Sequence, residues 1–213
     1  MKAKNVSPYY SNPRHEMISF IHGNPQHILE IGCGAGCFRN NFPSNIEYWG
    51  VEPCAVPASL ANVSMTKTLV GTYDSVRNEI PDRHFDLVVC NDVIEHMADP
   101  RGFLRDIGSK LVKGGSMIVS IPNLRNAITL YELLIRGDFR YADAGTLDYT
   151  HLHLFTMKSF LEMANECGWK VEVCRPINEL PFKFVKGLIL SCLKWFIPEI
   201  KSFQIAVRMV LKP

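Results

Sequence analysis

Three groups of residues in this 213-residue chain have types and spacing suited to chemistry. Gly32, Cys33, Gly34, Ala35 and Gly36 follow the apolar run His27 to Ile31 and read as a strand, a tight turn and a helix start. Glycines there let the backbone approach a ligand, and a helix N-terminus offers it unpaired N–H groups. Glu52 ends the next strand, 18 residues after Gly34, where a carboxylate can accept hydrogen bonds from both hydroxyls of a ribose. In the second group Asp92, Glu95 and His96 stand at i, i+3 and i+4, a spacing that gathers them on one face of a helical turn. The third runs from Leu147 to Thr156; an extended backbone there turns His151 and His153 to one side, with Asp148 near enough in sequence to orient one ring. His151, oriented by Asp148, is the first candidate for a general base and His96 the second. For each ring the alternative is packing, or a backbone hydrogen bond that closes a lid.

The glycine turn suits two cofactors. A dinucleotide would set a doubly charged pyrophosphate over it, whereas S-adenosylmethionine would set a sulfonium and an amino acid there. Glu30, just before the first glycine, repels pyrophosphate and suits a cation, and Cys37 stands where the dinucleotide fingerprint has its third glycine. These residues favour S-adenosylmethionine.

Several β-branched or aromatic runs alternate with helical patterns. Strands are predicted at His27 to Ile31, Glu47 to Val51, Thr68 to Gly71, Phe85 to Cys90, Ser116 to Ile121, Lys170 to Arg175 and Phe203 to Leu211. Helices are predicted at Arg14 to His22, Gly36 to Phe42, Pro100 to Leu111, Arg125 to Arg136, Lys158 to Cys167 and Phe182 to Phe196. This alternation predicts an α/β domain with a mostly parallel sheet covered on both faces, whose ligands bind at the carboxyl ends of the strands. The connection over residues 122–156 is too long for a plain turn and reads as a lid or substrate-binding insertion in a single domain over 1–213.

The glycine segment Glu30 to Gly36, Glu52 after its strand, Phe85 to His96 and Leu111 to Gly115 together resemble the class I S-adenosylmethionine-dependent methyltransferases. The resemblance implies their Rossmann-like fold, a seven-stranded, mostly parallel sheet with the last strand antiparallel and helices on both faces. It implies that Glu30, Gly32, Cys33, Gly34 and Gly36 hold the methionine part, Glu52 the ribose, and Asn91 with Asp92 the adenosine and sulfonium. Thr72 stands where related sequences often have an acid for the adenine amino group. Ubiquinone-type O-methyltransferases carry a similar acid-x-x-Glu-His segment that binds a divalent cation, but the chain's Asp92 replaces their first Glu and no metal is assigned. Ser120 to Asn123, Arg136 to Phe139 and Asp148 to Thr156 are similar to methyltransferases of bacterial polysaccharide and O-antigen pathways. That similarity implies a sugar hydroxyl as the acceptor. Methylation of a quinone or phenol, or a non-catalytic S-adenosylmethionine-binding module, are the alternatives.

Composition bounds the partners. With 23 Lys and Arg against 21 Asp and Glu, the net charge of +2 gives no polycationic surface for nucleic acid. The charge is uneven: residues 181–213 carry six basic side chains and only Glu199 as an acid. A basic amphipathic segment over about 181–200 is expected to pack on the core or on a second subunit as a homodimer, or to touch an anionic membrane. The seven cysteines fall singly, and Met1 to His15 is polar, so the expected setting is cytoplasmic or peripheral to the inner membrane face.

Overall fold

The computed structural model describes residues 12–180 and 196–213. Seven strands form one sheet: β1 (His27–Ile31), β2 (Glu47–Glu52), β3 (Lys67–Val70), β4 (Phe85–Asn91), β5 (Leu111–Pro122), β6 (Trp169–Glu179) and β7 (Ser202–Leu211). Their order is β3-β2-β1-β4-β5-β7-β6. The first five run parallel, and β7 inserts antiparallel between β5 and β6, as expected for the last strand.

Strand alternation divides the core. Leu29, Ile31, Val88, Cys90, Met117, Val119 and Val207 face one side, where they meet Tyr73 and Val76 of α2 (Tyr73–Val76), Phe103, Leu104 and Ile107 of α3 (Pro100–Ile107), and Phe160 and Met163 of α5 (Met157–Glu166). Ile28, Tyr48, Leu87, Val89 and Ile118 face the other. They pack there against Met17, Phe20 and Phe38 and against Ala61 of α1 (Ala55–Ala61).

The helices expected over Arg14 to His22 and Gly36 to Phe42 are 3-10 turns of six and four residues, His15–Phe20 and Phe38–Asn41. Pro13 and Gly23 bound the first and Gly36 and Pro43 the second, which leaves too little chain for an α-helix. Helix α1 carries Pro57 in its first turn, where a missing N–H costs nothing, so a residue that reads as a breaker sits inside an element. Strand β6 outruns its expected end at Arg175 and includes Pro176, tolerated because β6 is the sheet edge. The predicted helix over Phe182 to Phe196, and most of the basic segment with Lys183, Lys186 and Lys194, lie outside the described residues. No described helix is long and apolar enough to cross a membrane.

The connection after β5 is pinned at both ends. Buried Asn123 donates to the Glu199 and Ser202 carbonyls, and Asn126 caps α4 (Ala127–Leu134) while its side chain donates to Thr146 Oγ1 at 2.9 Å. At the far end, Thr156 and Ser159 form a capping box that starts α5.

Trp169 opens β6 fully buried, and its indole N–H reaches the Leu104 carbonyl in α3 at 2.7 Å. Trp169→Phe keeps the ring packing but orphans that carbonyl, and should cost about 1–3 kcal/mol in urea unfolding. Trp169→Ala also opens a cavity and should cost about 3–5 kcal/mol.

Candidate active site

The carboxyl ends of β1, β2 and β4 converge on the glycine turn. The N–H groups of Gly32 and Cys33 both reach the Val51 carbonyl, which ties the turn to the end of β2. Gly32 has φ +71°, and a Cβ there would stand 2.4 Å from Val93 Cγ2; Gly36 has φ +80° with the Ala61 backbone at 3.0 Å. Both positions require glycine. Glu52 is buried, and its two oxygens accept the N–H groups of Gly34 at 2.9 Å and Cys54 at 3.0 Å. Each oxygen keeps a lone pair while the backbone fixes the carboxylate's direction.

Glu30 lies on the second face of β1, buried, with the Tyr48 hydroxyl donating to it at 2.9 Å. Burial, helped by Glu52, pushes its carboxyl up to about 8 against the opposing Tyr48 hydrogen bond. Cys33 turns its thiol under Gly50 into the core, and burial pushes that thiol far up, so only its backbone faces the turn. Thr72 stands exposed just after β3, at the start of α2. Asn91 ends β4, and both polar atoms of its buried amide lack a partner among the described residues.

Asp92 has φ +55°, a conformation that Asp tolerates better than most residues and that is common at functional sites. Its carboxylate accepts Ser120 Oγ at 2.9 Å and also bonds Arg14 and Gln204. The buried Arg14 guanidinium also donates to Ser120 Oγ at 2.8 Å and to Glu16 at 2.7 Å. Arg14 enters from the segment before the first 3-10 turn. Sequence reasoning missed it because no spacing rule links one arginine to an aspartate 78 residues away.

The expected common face of Asp92, Glu95 and His96 does not form. Ile94–His96 is a 3-10 turn, and the left-handed Asp92 lies outside it with its carboxylate turned toward Arg14. The group that does form is Glu95, His96 and His151, one ligand atom from each lying within 4.8 Å of the others. Glu95 is buried, both its carboxylate oxygens lack a partner among the described residues, and burial together with Asp92 pushes its carboxyl well up. The His96 and His151 rings lie 4.8 Å apart, edge to face. His96 Nδ1 donates to the Thr150 carbonyl at 3.0 Å and His151 Nδ1 to the Thr146 carbonyl at 2.9 Å. A carbonyl only accepts, so each Nδ1 carries a proton, and in the neutral ring the lone pair is on Nε2. Burial, with His151 beside it, lowers His96 below the usual imidazole range.

Two expectations for the lid are corrected. Asp148 does not orient His151: its carboxylate takes the Thr150 N–H at 2.7 Å and hydroxyl at 2.6 Å. Those bonds and the nearby histidines outweigh burial and hold Asp148 below the usual carboxylate range. The extended strand expected to align His151 with His153 does not form: the segment is irregular, with a bend at Leu152, and His151 pairs with His96 while His153 pairs with Phe155. The Glu95 carbonyl accepts the N–H groups of both Leu152 and His153, and the His153 ring stacks on Phe155.

Residues 4–173 match the family described as methyltransferase domain. The ubiquinone biosynthesis O-methyltransferase of Aeromonas salmonicida is 25% identical over 186 residues, covering 81% of this chain and 76% of that enzyme. The mitochondrial ubiquinone biosynthesis O-methyltransferase of Schizosaccharomyces pombe is 26% identical over 181 residues, 78% of this chain. This chain spans 65% of that enzyme's length. Among solved structures, a methyltransferase from Thermotoga maritima superposes with TM-score 0.65 at 20% identity, covering 92% of this chain and 87% of that one. One from Archaeoglobus fulgidus gives 0.62 at 18%, covering 91% and 89%; at these identities the likeness shows the fold alone. The seven-stranded order, the glycine turn with Glu52 and the family match over residues 4–173 agree, and the chain belongs to the S-adenosylmethionine-dependent methyltransferases.

Proposed function

We propose that the chain transfers the methyl group of S-adenosylmethionine to a hydroxyl oxygen of a small phenol- or quinol-type acceptor. The observation that carries this reading is the His96 and His151 pair, each ring held at Nδ1 by a backbone carbonyl, beside the buried Glu95 carboxyl, which lacks a partner among the described residues. The ubiquinone O-methyltransferases among the relatives support a phenolic acceptor over the sugar hydroxyl implied by the lid motifs.

In this reading the cofactor's ribose hydroxyls bond Glu52, its amino acid part lies on the turn from Gly32 to Gly36, and Asn91 uses its amide, which has no partner among the described residues, on the adenosine. Thr72 lies at the adenine edge, and Asp92 is held near the sulfonium by Arg14 and Ser120. The acceptor oxygen attacks the methyl carbon in line, the carbon–sulfur bond breaks, and the sulfur leaves as a neutral thioether. A phenol has an ordinary pKa of about 10, so the reaction gains from a positioned base, and Nε2 of His151 or His96 takes the proton. Asp148 acts only by holding the Thr150 turn, whose carbonyl orients His96. The carboxyl of Glu95 and the two imidazoles also fit a divalent cation, which would lend Lewis acidity to the hydroxyl.

Isothermal titration should show Glu52→Ala weakening S-adenosylmethionine binding about 100-fold, the loss of two charge-assisted hydrogen bonds; unchanged affinity removes the ribose assignment. His96→Ala and His151→Ala should keep that affinity while lowering labelled methyl transfer to catechol-type acceptors by about 10²–10⁴ in one or both. Full turnover in both variants, or label entering only cell glycans, overturns the reading.

Glu30 adds a pH dependence. The folded ligand-free protein keeps its proton up to about pH 8, whereas the unfolded chain sheds it near 4.5. This contribution to stability is complete below the ordinary carboxylate range and is lost as pH rises through about 8. A cationic ligand prefers the ionised carboxylate, so cofactor affinity should climb with pH toward that value, with proton release on binding. Glu30→Gln should flatten both slopes; slopes equal to those of the parent protein would refute this account.

A further inference from the structure

At the opposite end of the sheet, His27, Glu47 and His84 bring a second set of donors together, within 4.8 Å of one another. They occupy the starts of three adjacent strands: His27 opens β1, Glu47 opens β2 in register beside it, and His84 directly precedes β4 on the other side. The Glu47 carboxylate is bracketed by two imidazoles, with His84 Nε2 at 3.0 Å from Oε1 and His27 Nε2 at 3.7 Å from Oε2. From the structure we infer that this triad is a binding site for a divalent first-row transition metal of the zinc type, separate from the methyl-transfer site.

Two kinds of support fix the donors. The Asp86 carboxylate lies 3.3 Å from His27 Nδ1 and also accepts the N–H groups of Gln26 and His27. A proton held on Nδ1 by that carboxylate leaves Nε2 as the ligand atom, the carboxylate–histidine pairing that orients metal-bound imidazoles. Trp49 Nε1 donates to Glu47 Oε1 at 2.8 Å, and the His84 ring stands edge-on to Phe85 at 4.9 Å and 5.0 Å from the His27 ring. Two imidazoles and one carboxylate make a zinc donor set with a fourth position left for water. Tetrahedral bonds of about 2.0–2.1 Å put ligand atoms roughly 3.3 Å apart, so the present spacing closes with small side-chain rotations. All three side chains are half-buried and open to solvent on one side, which gives an ion a way in. Strand β1 separates the triad from the glycine turn by about 16 Å, so the ion would staple the starts of β1, β2 and β4 rather than touch the acceptor.

The test is zinc titration of the full chain after chelator treatment and dialysis, followed by calorimetry and thermal melts. The lid variant His96→Ala/His151→Ala removes the other candidate donors and should still bind one Zn²⁺, with a melting temperature that rises with zinc. His84→Asn made in that background should bind at least tenfold more weakly and lose the thermal shift. Asp86→Asn there should weaken binding about tenfold to a hundredfold through His27. Far-UV circular dichroism confirms that each variant folds, and Co²⁺ absorption in the lid variant reports tetrahedral ligation independently. No zinc uptake by the lid variant, or equal uptake with and without His84, overturns the proposal.

Discussion

One backbone carbonyl organises the candidate site. Glu95 O accepts the N–H groups of Leu152 and His153, and so fastens the long connection after β5 to the turn that follows β4. Because that turn is itself held by the parallel ladder of β1, β4 and β5, the connection inherits its position from the most buried part of the sheet. The histidine pair follows from this pin. With residues 152 and 153 fixed, His151 lies against His96, and the carbonyls of Thr146 and Thr150 set both tautomers. Asn126, bonded to Thr146 at one end of the lid, ties the same network back to Asn123 and the β7 side of the sheet.

The charges around this pin are arranged in opposite ways on its two sides. Asp92 lies among partners: the Arg14 guanidinium, Ser120 Oγ and Gln204 surround it, and Arg14 keeps its charge despite burial because Asp92 and Glu16 face it. The Glu95 carboxyl, three residues on, has no hydrogen-bond partner among the described residues and is pushed toward its neutral form by burial and by Asp92 itself. Two carboxyl groups three residues apart thus sit in opposite surroundings: a guanidinium and two further polar side chains bond Asp92, while burial and Asp92 itself press on Glu95.

The sequence carried the frame more faithfully than the contacts. Strand alternation and the glycine turn are local signals, and they located the mostly parallel sheet and the Glu52 carboxylate at the end of β2, while the antiparallel last strand followed from the resemblance to a family. Elements failed where local chain was short or where edge position overrode propensity, as in the 3-10 turns before β1 and β2 and in Pro176 of β6. Within the site, residue types were legible but pairings were not. The spacing of Asp92, Glu95 and His96 predicts a shared face only on a helix, and a left-handed Asp92 breaks that premise. His151 pairs with His96 across 55 positions, and Arg14 with Asp92 across 78; such contacts arise from tertiary closure, to which periodicity is blind.

Glu30 and Glu95 share one property with a consequence for how the site fills. Both are buried carboxyl groups whose surroundings favour the proton, one beneath the glycine turn and one beneath the lid. A protonated acid avoids the cost of a buried unpaired charge, so the empty site is tolerated without a counter-ion. Arrival of a cation reverses the balance at each, because an ionised carboxylate beside a positive ligand is favoured where a lone one is not. In the proposed function, the ligand-free fold and the ligand-bound fold therefore use the same two side chains in different charge states. An amide at either position would satisfy the empty protein and fail the full one, which is a physical reason for an acid to stand in each place.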